Sequence, residues 1–302
     1  MALTATPPMP DMLKSMLEFL LKLVPARFRT DIPVVPVVRL SGVIGATTPM
    51  RAGLMLSNTA RALERAFETR NARAVALIIN SPGGSPAQSH LIFRRIRQLA
   101  AEKNLPVIAF IEDVGASGGY MLACAADEII CDPFSIVGSI GVVGGSFGFP
   151  KLMEKLGVER RLYTSGERKA MLDPFQPEKP EDVKRIKAIQ KDIHQHFIAL
   201  VEERRGSKLK NSEKKTLFSG EFWTAQTAIE FGLADSIGDL RSTLRERYGE
   251  KVRTPLISTE RTFFGRKIPG FTSLENLTRQ PGLVADLLVA VEERAWWSRY
   301  GL

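Results

Sequence analysis

The sequence predicts an α/β protein with parallel strand pairing, and three observations carry that prediction. Short runs of β-branched and apolar residues recur along the first half of the chain, glycine or proline follows each of them, and a stretch of helical periodicity comes next. Residues 34–40 (VVPVVRL) read as the first strand, with a glycine-containing turn and a helix over about 53–69 behind it. Residues 74–79 (AVALII) form the second strand, which runs into the loop Asn80-Ser-Pro-Gly-Gly84 and a helix across 86–103. The third strand, 107–111 (VIAFI), leads into the stretch DVGASGGY, after which 119–126 reads as helix. Residues 128–131 and 135–143 are short strands broken by glycines, 181–205 a long charged helix, 206–215 a basic hinge-like stretch, and 223–231 a helix ending at Gly232. From about residue 253 the pattern loosens and closes in a helix carrying Trp296 and Trp297. The implied organisation is an N-terminal helix and linker (1–33), one main domain (34–250) and a C-terminal extension (251–302).

Composition narrows the partners. With 302 residues, 44% of them hydrophobic and 25% charged, the chain can bury a sizeable core. Net charge is +9 and the isoelectric point about 9.7, but the excess is scattered over helical faces such as Arg94, Arg95 and Arg97. That pattern is a solvated surface, and no nucleic-acid partner is expected. Cys124 and Cys131 fit neither a CxxC motif nor a disulfide framework, which suits a reducing compartment. No phosphate-binding loop and no His/Cys ligand cluster is present, so neither cofactor nor metal is expected. The first ten residues carry no Lys or Arg and no segment offers 18 uncharged apolar residues, so the expected location is cytoplasmic. Residues 12–24 (MLKSMLEFLLKLV) place Lys14, Ser15, Glu18 and Lys22 on one arc of a helix and apolar residues on the other. Such a helix can lie on the inner face of a membrane, pack on another subunit, or dock on its own domain.

The chemistry centres on Ser117. A serine between small residues, directly after a strand and opening a helix, sits on a sharp turn with its hydroxyl projecting, as a nucleophile requires. Residues 115–119 match GxSxG, which raises a Ser-His-Asp triad; the order of residues argues against it. His90 precedes the serine, and His194 and His196 lie within the long helix. The remaining base is a lysine, which titrates near 10.4 in water and must fall to roughly 7–8 to act at neutral pH, so its site must be shielded. Lys169, on the Ser165-Gly166 turn before an apolar stretch stopped by Pro174, is one candidate that spacing alone does not select.

Five motifs in order select it. Asn80-Ser-Pro-Gly-Gly84, Asp113-Val-Gly-Ala-Ser-Gly-Gly-Tyr120, Val137-Gly-Ser-Ile-Gly-Val142, Ser165-Gly-Glu-Arg-Lys169 and the segment 218–238 together resemble the signal peptide peptidase SppA/SohB family of serine peptidases, from about Val34 to Leu240. The resemblance is to the short, single-domain type. It implies a Clp-protease/crotonase-like fold of repeated β-β-α units, with parallel sheets and flanking helices. It further implies Ser117 as nucleophile, Lys169 as general base, the amides of Gly84 and Gly118 as oxyanion hole, and Ser139 as a hydrogen-bond support for the lysine. The substrates it implies are extended, mostly apolar peptides, and the assembly a homo-oligomeric ring or dome. Two rivals stay open: a crotonase-type acyl-CoA enzyme, which would need a carboxylate in place of the nucleophile, and a non-catalytic membrane-organising scaffold.

Overall fold

The computed structural model of the chain describes residues 32–45, 53–258, 262–263, 266–267, 291 and 294–302. The amphipathic stretch 12–24 lies outside the described residues.

Strand β1 (Val37–Ser41) leads through helix α1 (Leu56–Phe67) to β2 (Val75–Ser81). Helix α2 (Pro86–Lys103) then returns the chain to β3 (Val107–Ala116). After α3 (Gly118–Ala123) comes β4 (Glu128–Cys131), and β1, β2, β3 and β4 pair in parallel throughout. Each crossover is a helix because parallel neighbours cannot be joined by a tight turn. Strand β2 is apolar without alternation, and Val75, Ala76, Leu77 and Ile79 are all fully buried. That is the mark of a central parallel strand covered on both faces. Leu63 and Phe67 of α1 and Ile92 and Ile96 of α2 share one core with Leu40, Leu77 and Ile79. Helix α2 starts at Ser85, whose hydroxyl accepts from Gln88 N at 3.4 Å, and stops at Asn104 in the left-handed conformation.

On the edge away from β2, strand β3 serves two neighbours. Its first half pairs with β4, and after a register shift opposite Ile79 and Ser81 its last three residues pair with β5 (Ile136–Gly138). The strand expected over 135–143 is short: beyond Gly138 the chain leaves the sheet and runs on to the exposed helix α4 (Pro150–Leu156), which buries none of its residues. Helix α5 (Pro180–Arg205) brings it back. Residues 206–215 are not a hinge. They include a 3-10 turn, Asn211–Glu213, and enter α6 (Lys214–Leu217), with Leu209 and Leu217 buried. The helix expected over 223–231 is a strand followed by a shorter helix. Strand β6 (Phe222–Thr224) pairs antiparallel with β5, and α7 (Ala225–Glu230) ends before Gly232. Strand β7 (Ser236–Ile237) pairs with β4; α8 (Leu240–Tyr248) sets Leu244 against Val37, Ala76, Ile108 and Phe110 on the second face of the sheet. Strand β8 (Leu256–Ile257) closes the order β6-β5-β3-β2-β1-β8. The eight-stranded, mostly parallel sheet flanked by helices is the α/β architecture the sequence predicts.

Tyr300 also joins the body. It is buried among Val114, Ala116, Ile136 and Trp297, and its ring meets Phe222 edge-on at 5.0 Å.

Candidate active site

Strand β3 delivers the chain to Ser117 in a conformation with φ 51° and ψ −123°. A serine there carries strain on the order of 1–3 kcal/mol and holds only where its surroundings over-determine it. Ser117 N donates to Gly138 O at 2.8 Å, which ties the turn to the end of β5. On the other side the loop after β2 folds against the serine. A Cβ on Gly83 would lie 2.7 Å from Ser117 Cβ and 2.8 Å from Gly118 N, and a Cβ on Gly84 only 2.1 Å from Ile44 O. Glycine is what lets the two loops touch. Ser81 holds the approach: its hydroxyl donates to Gly42 O at 2.7 Å and accepts from Gly83 N at 3.2 Å.

Among the described residues the amides of Gly84 and Gly118 donate to no internal acceptor. Gly118 is buried, and buried amides are ordinarily paired. Unpaired N–H groups beside a strained serine can donate to an oxygen that gains negative charge.

The turn rests on a buried polar scaffold. Tyr120 O–H donates to Leu233 O at 2.8 Å from the middle of α3. Arg205, 1% exposed, donates from Nε and Nη2 to Gly232 O and pairs with Asp235 at 2.8 Å, while Asp235 also accepts from Ile129 N. Arg204 donates to Cys124 O and Ala126 O, both at 2.9 Å, and so caps the end of α3. Burial alone would lower the Arg205 pKa, but its hydrogen bond to Asp235 outweighs that and the net direction is up. Burial likewise works to raise Asp235, and the Arg205 and Lys208 donors overcome it, so its carboxyl falls below the usual range. Burial pushes the thiols of Cys124 and Cys131 up to about 12, and the hydroxyl of Tyr120 well above its ordinary value.

Ser139 is 6% exposed, has φ 52°, and donates its amide to Glu221 O at 2.7 Å. It directly follows Gly138, the backbone partner of Ser117. Next to it, Ile140 O lies 3.0 Å from His194 Nε2. Lys169 belongs to the stretch between α4 and α5. It lies in the run of turns after Gly166, to whose carbonyl its amide donates at 3.1 Å, and its side chain is exposed. No hydrogen bond joins it to Ser117 among the described residues. The structure thus gathers Ser117, Gly118, the Gly83-Gly84 loop and the Gly138-Ser139 segment, and leaves Lys169 on the surface. Sequence reasoning missed Tyr120, Arg205 and Asp235, of which only Tyr120 had a signal, its place at the end of the serine motif.

Comparison with known sequences decides the family: the profile of peptidase family S49 matches residues 99–251, about half of the chain. The chain belongs to peptidase family S49. The matched S49 segment contains Ser117, Ser139 and Lys169, and Gly84 precedes it. A chain of Brucella abortus (strain 2308) named Na(+)/H(+) antiporter NhaA is 53% identical over 300 residues, covering 96% of this chain and 40% of that one. This chain therefore spans two fifths of the length of that relative, and among its described residues no helix is long and apolar enough to cross a membrane. A putative protease of Methanocaldococcus jannaschii is 31% identical over 174 residues, 58% of this chain and 55% of its own. The chloroplastic serine protease SPPA of Arabidopsis thaliana is 34% identical over 174 residues, 57% of this chain and 25% of its own.

Proposed function

We propose that this S49 protein is a serine peptidase working through a Ser117–Lys169 dyad. Neutral Lys169 takes the Ser117 proton, the oxygen attacks the scissile carbonyl, and the amides of Gly84 and Gly118 donate to the oxyanion of the tetrahedral intermediate. Protonated Lys169 gives its proton to the leaving amine, and water then hydrolyses the acyl-enzyme by the same route in reverse. Ser139 supports the lysine. The observation that carries this reading is the strained Ser117 turn, packed against a glycine loop beside two amides that have no acceptor within the chain.

Substrates in this reading are extended, mostly apolar peptides such as cleaved signal peptides or fragments of membrane proteins. The lysine must be shielded from water to act as a base, yet the arm that bears it, residues 142–178, exposes Phe147 (81%), Leu156 (65%) and Tyr163 (89%). A second copy of the chain laid over this arm would bury that apolar surface and dry Lys169 together, so a homo-oligomer belongs to the proposal. Residues 12–24 supply a peripheral contact with the inner face of the membrane.

The experiment is covalent labelling with a fluorophosphonate probe, read by mass spectrometry on the tryptic peptide containing Ser117. Adduct on Ser117, absent in Ser117→Ala and much slowed in Lys169→Ala, is the expected result. An unlabelled wild-type oligomer overturns the peptidase reading in favour of a scaffold.

A further inference from the structure

Most of the arm over 142–178 is exposed, and residues 170–174 are half-buried. The side chain of Asp173, four residues after Lys169, is only 4% exposed. Its Oδ1 accepts from the Arg160 guanidinium and from Phe175 N at 3.1 Å, and Gln176 N donates to its backbone carbonyl at 3.1 Å. Around this carboxylate the arm is stitched together. The Arg160 guanidinium carbon lies 4.7 Å above the Phe175 ring, Phe175 stacks on Phe149 at 5.4 Å, and Phe149 N donates to Pro174 O at 2.7 Å. One residue earlier, Leu172 has φ 57° and donates its amide to Asp182 Oδ2 at 3.3 Å, which anchors the same point to the first turn of α5. The turn that displays Lys169 is therefore free at its tip and fixed at its C-terminal end.

The second oxygen, Asp173 Oδ2, is buried and has no hydrogen-bond partner. A buried acceptor without a donor costs stability, so the knot is not the arrangement that stability alone selects. An ion pair with a stacked arginine gives something else, a fixed direction, because the planar guanidinium constrains both the carboxylate and the ring beneath it. We infer that Asp173 is the positioning residue for Lys169, holding the lysine turn through Arg160 and Phe175 so that the side-chain amine meets Ser117 when the arm is covered. This rests on the dyad reading. Misplacement of a reacting group by about 1 Å costs on the order of 10²-fold in rate, which sets the size of the effect.

The test is steady-state hydrolysis of a quenched apolar peptide and of an activated ester by the assembled protein, in a cycle of Asp173→Ala, Lys169→Ala and the double variant. Asp173→Ala is expected to lower kcat by about 10–100-fold with KM within about 2-fold. Asp173→Asn, which keeps the Oδ1 acceptor, should recover part of that. In the Lys169→Ala background, where ester hydrolysis still gives a measurable rate, removal of Asp173 should cost nothing further, since it acts only through the lysine. A kcat within 2-fold of wild type, or an equal fractional loss in both backgrounds, overturns the inference. If Asp173→Ala does not fold, as judged by its thermal midpoint, Arg160→Gln takes its place in the same cycle with the same two outcomes. Full activity in Lys169→Ala overturns the dyad itself and this inference with it, whereas an essential Lys169 beside an indifferent Asp173 removes the inference alone.

Discussion

The two halves of the proposed dyad stand in opposite surroundings. Ser117 is held by the protein's own core: the glycine loop on one side, Gly138 on the other, and the Tyr120, Arg205 and Asp235 scaffold beneath. Lys169 sits on an arm whose helix α4 buries nothing and whose Phe147 and Tyr163 side chains face water. In the proposed mechanism the chain's own packing builds the nucleophile half of the site, and assembly is what would complete the base half.

The comparison can be broken first at its rigid end. Arg205→Ala breaks a buried ion pair, leaving Asp235 with only Lys208 and Ile129 N and Gly232 O without its donors, and is expected to destabilise the protein by about 3 kcal/mol in denaturant unfolding. A loss under about 1 kcal/mol would mean that the scaffold does not hold the nucleophile turn. Smaller is Tyr120→Phe, which removes one buried hydrogen bond to Leu233 O and should cost about 1–2 kcal/mol while leaving the thiols buried. The Asp235 pair gives the scaffold a pH signature. Its carboxyl pKa is depressed in the folded state, so its contribution is present above the ordinary carboxylate value of about 3.9 and is lost as pH falls through the lower folded value. The stability gap between wild type and Asp235→Asn should therefore be constant from pH 7 to about 5 and shrink below about 4. A gap that grows in acid would contradict that sign. Smallest of all, Phe147→Ser on the arm should move monomer stability by no more than about 0.5 kcal/mol, yet shift the oligomer toward smaller species in sedimentation velocity. An unaltered assembly would place the subunit contact elsewhere.

The same contrast explains what the sequence revealed. Strands β1 to β4 and helices α1 and α2 were legible because their burial is dictated by local pattern: unbroken apolar runs for two-sided strands, and caps at Ser85 and Asn104. Strand β6 is hidden in a helical pattern because three residues that owe their conformation to pairing with β5 precede a true helix, and no local signal separates them. Arg205 looked like one more charge on a solvated helix, since its partner Asp235 is thirty residues away in sequence. At the site, the Ser117 turn follows from local residue types. The base does not, because what frees a lysine to take a proton at neutral pH is desolvation, a property of surfaces that meet in space.

The measurement that tests the account most directly is hydrolysis of a quenched apolar peptide by wild type, Ser117→Ala and Lys169→Ala, followed against protein concentration and pH. The account predicts that activity per subunit rises as the chain assembles, that it climbs with pH well below the ordinary lysine range near 10.4, and that both variants lose on the order of 10³-fold or more. Undiminished activity in Lys169→Ala, or full activity in the dilute monomer, would contradict it.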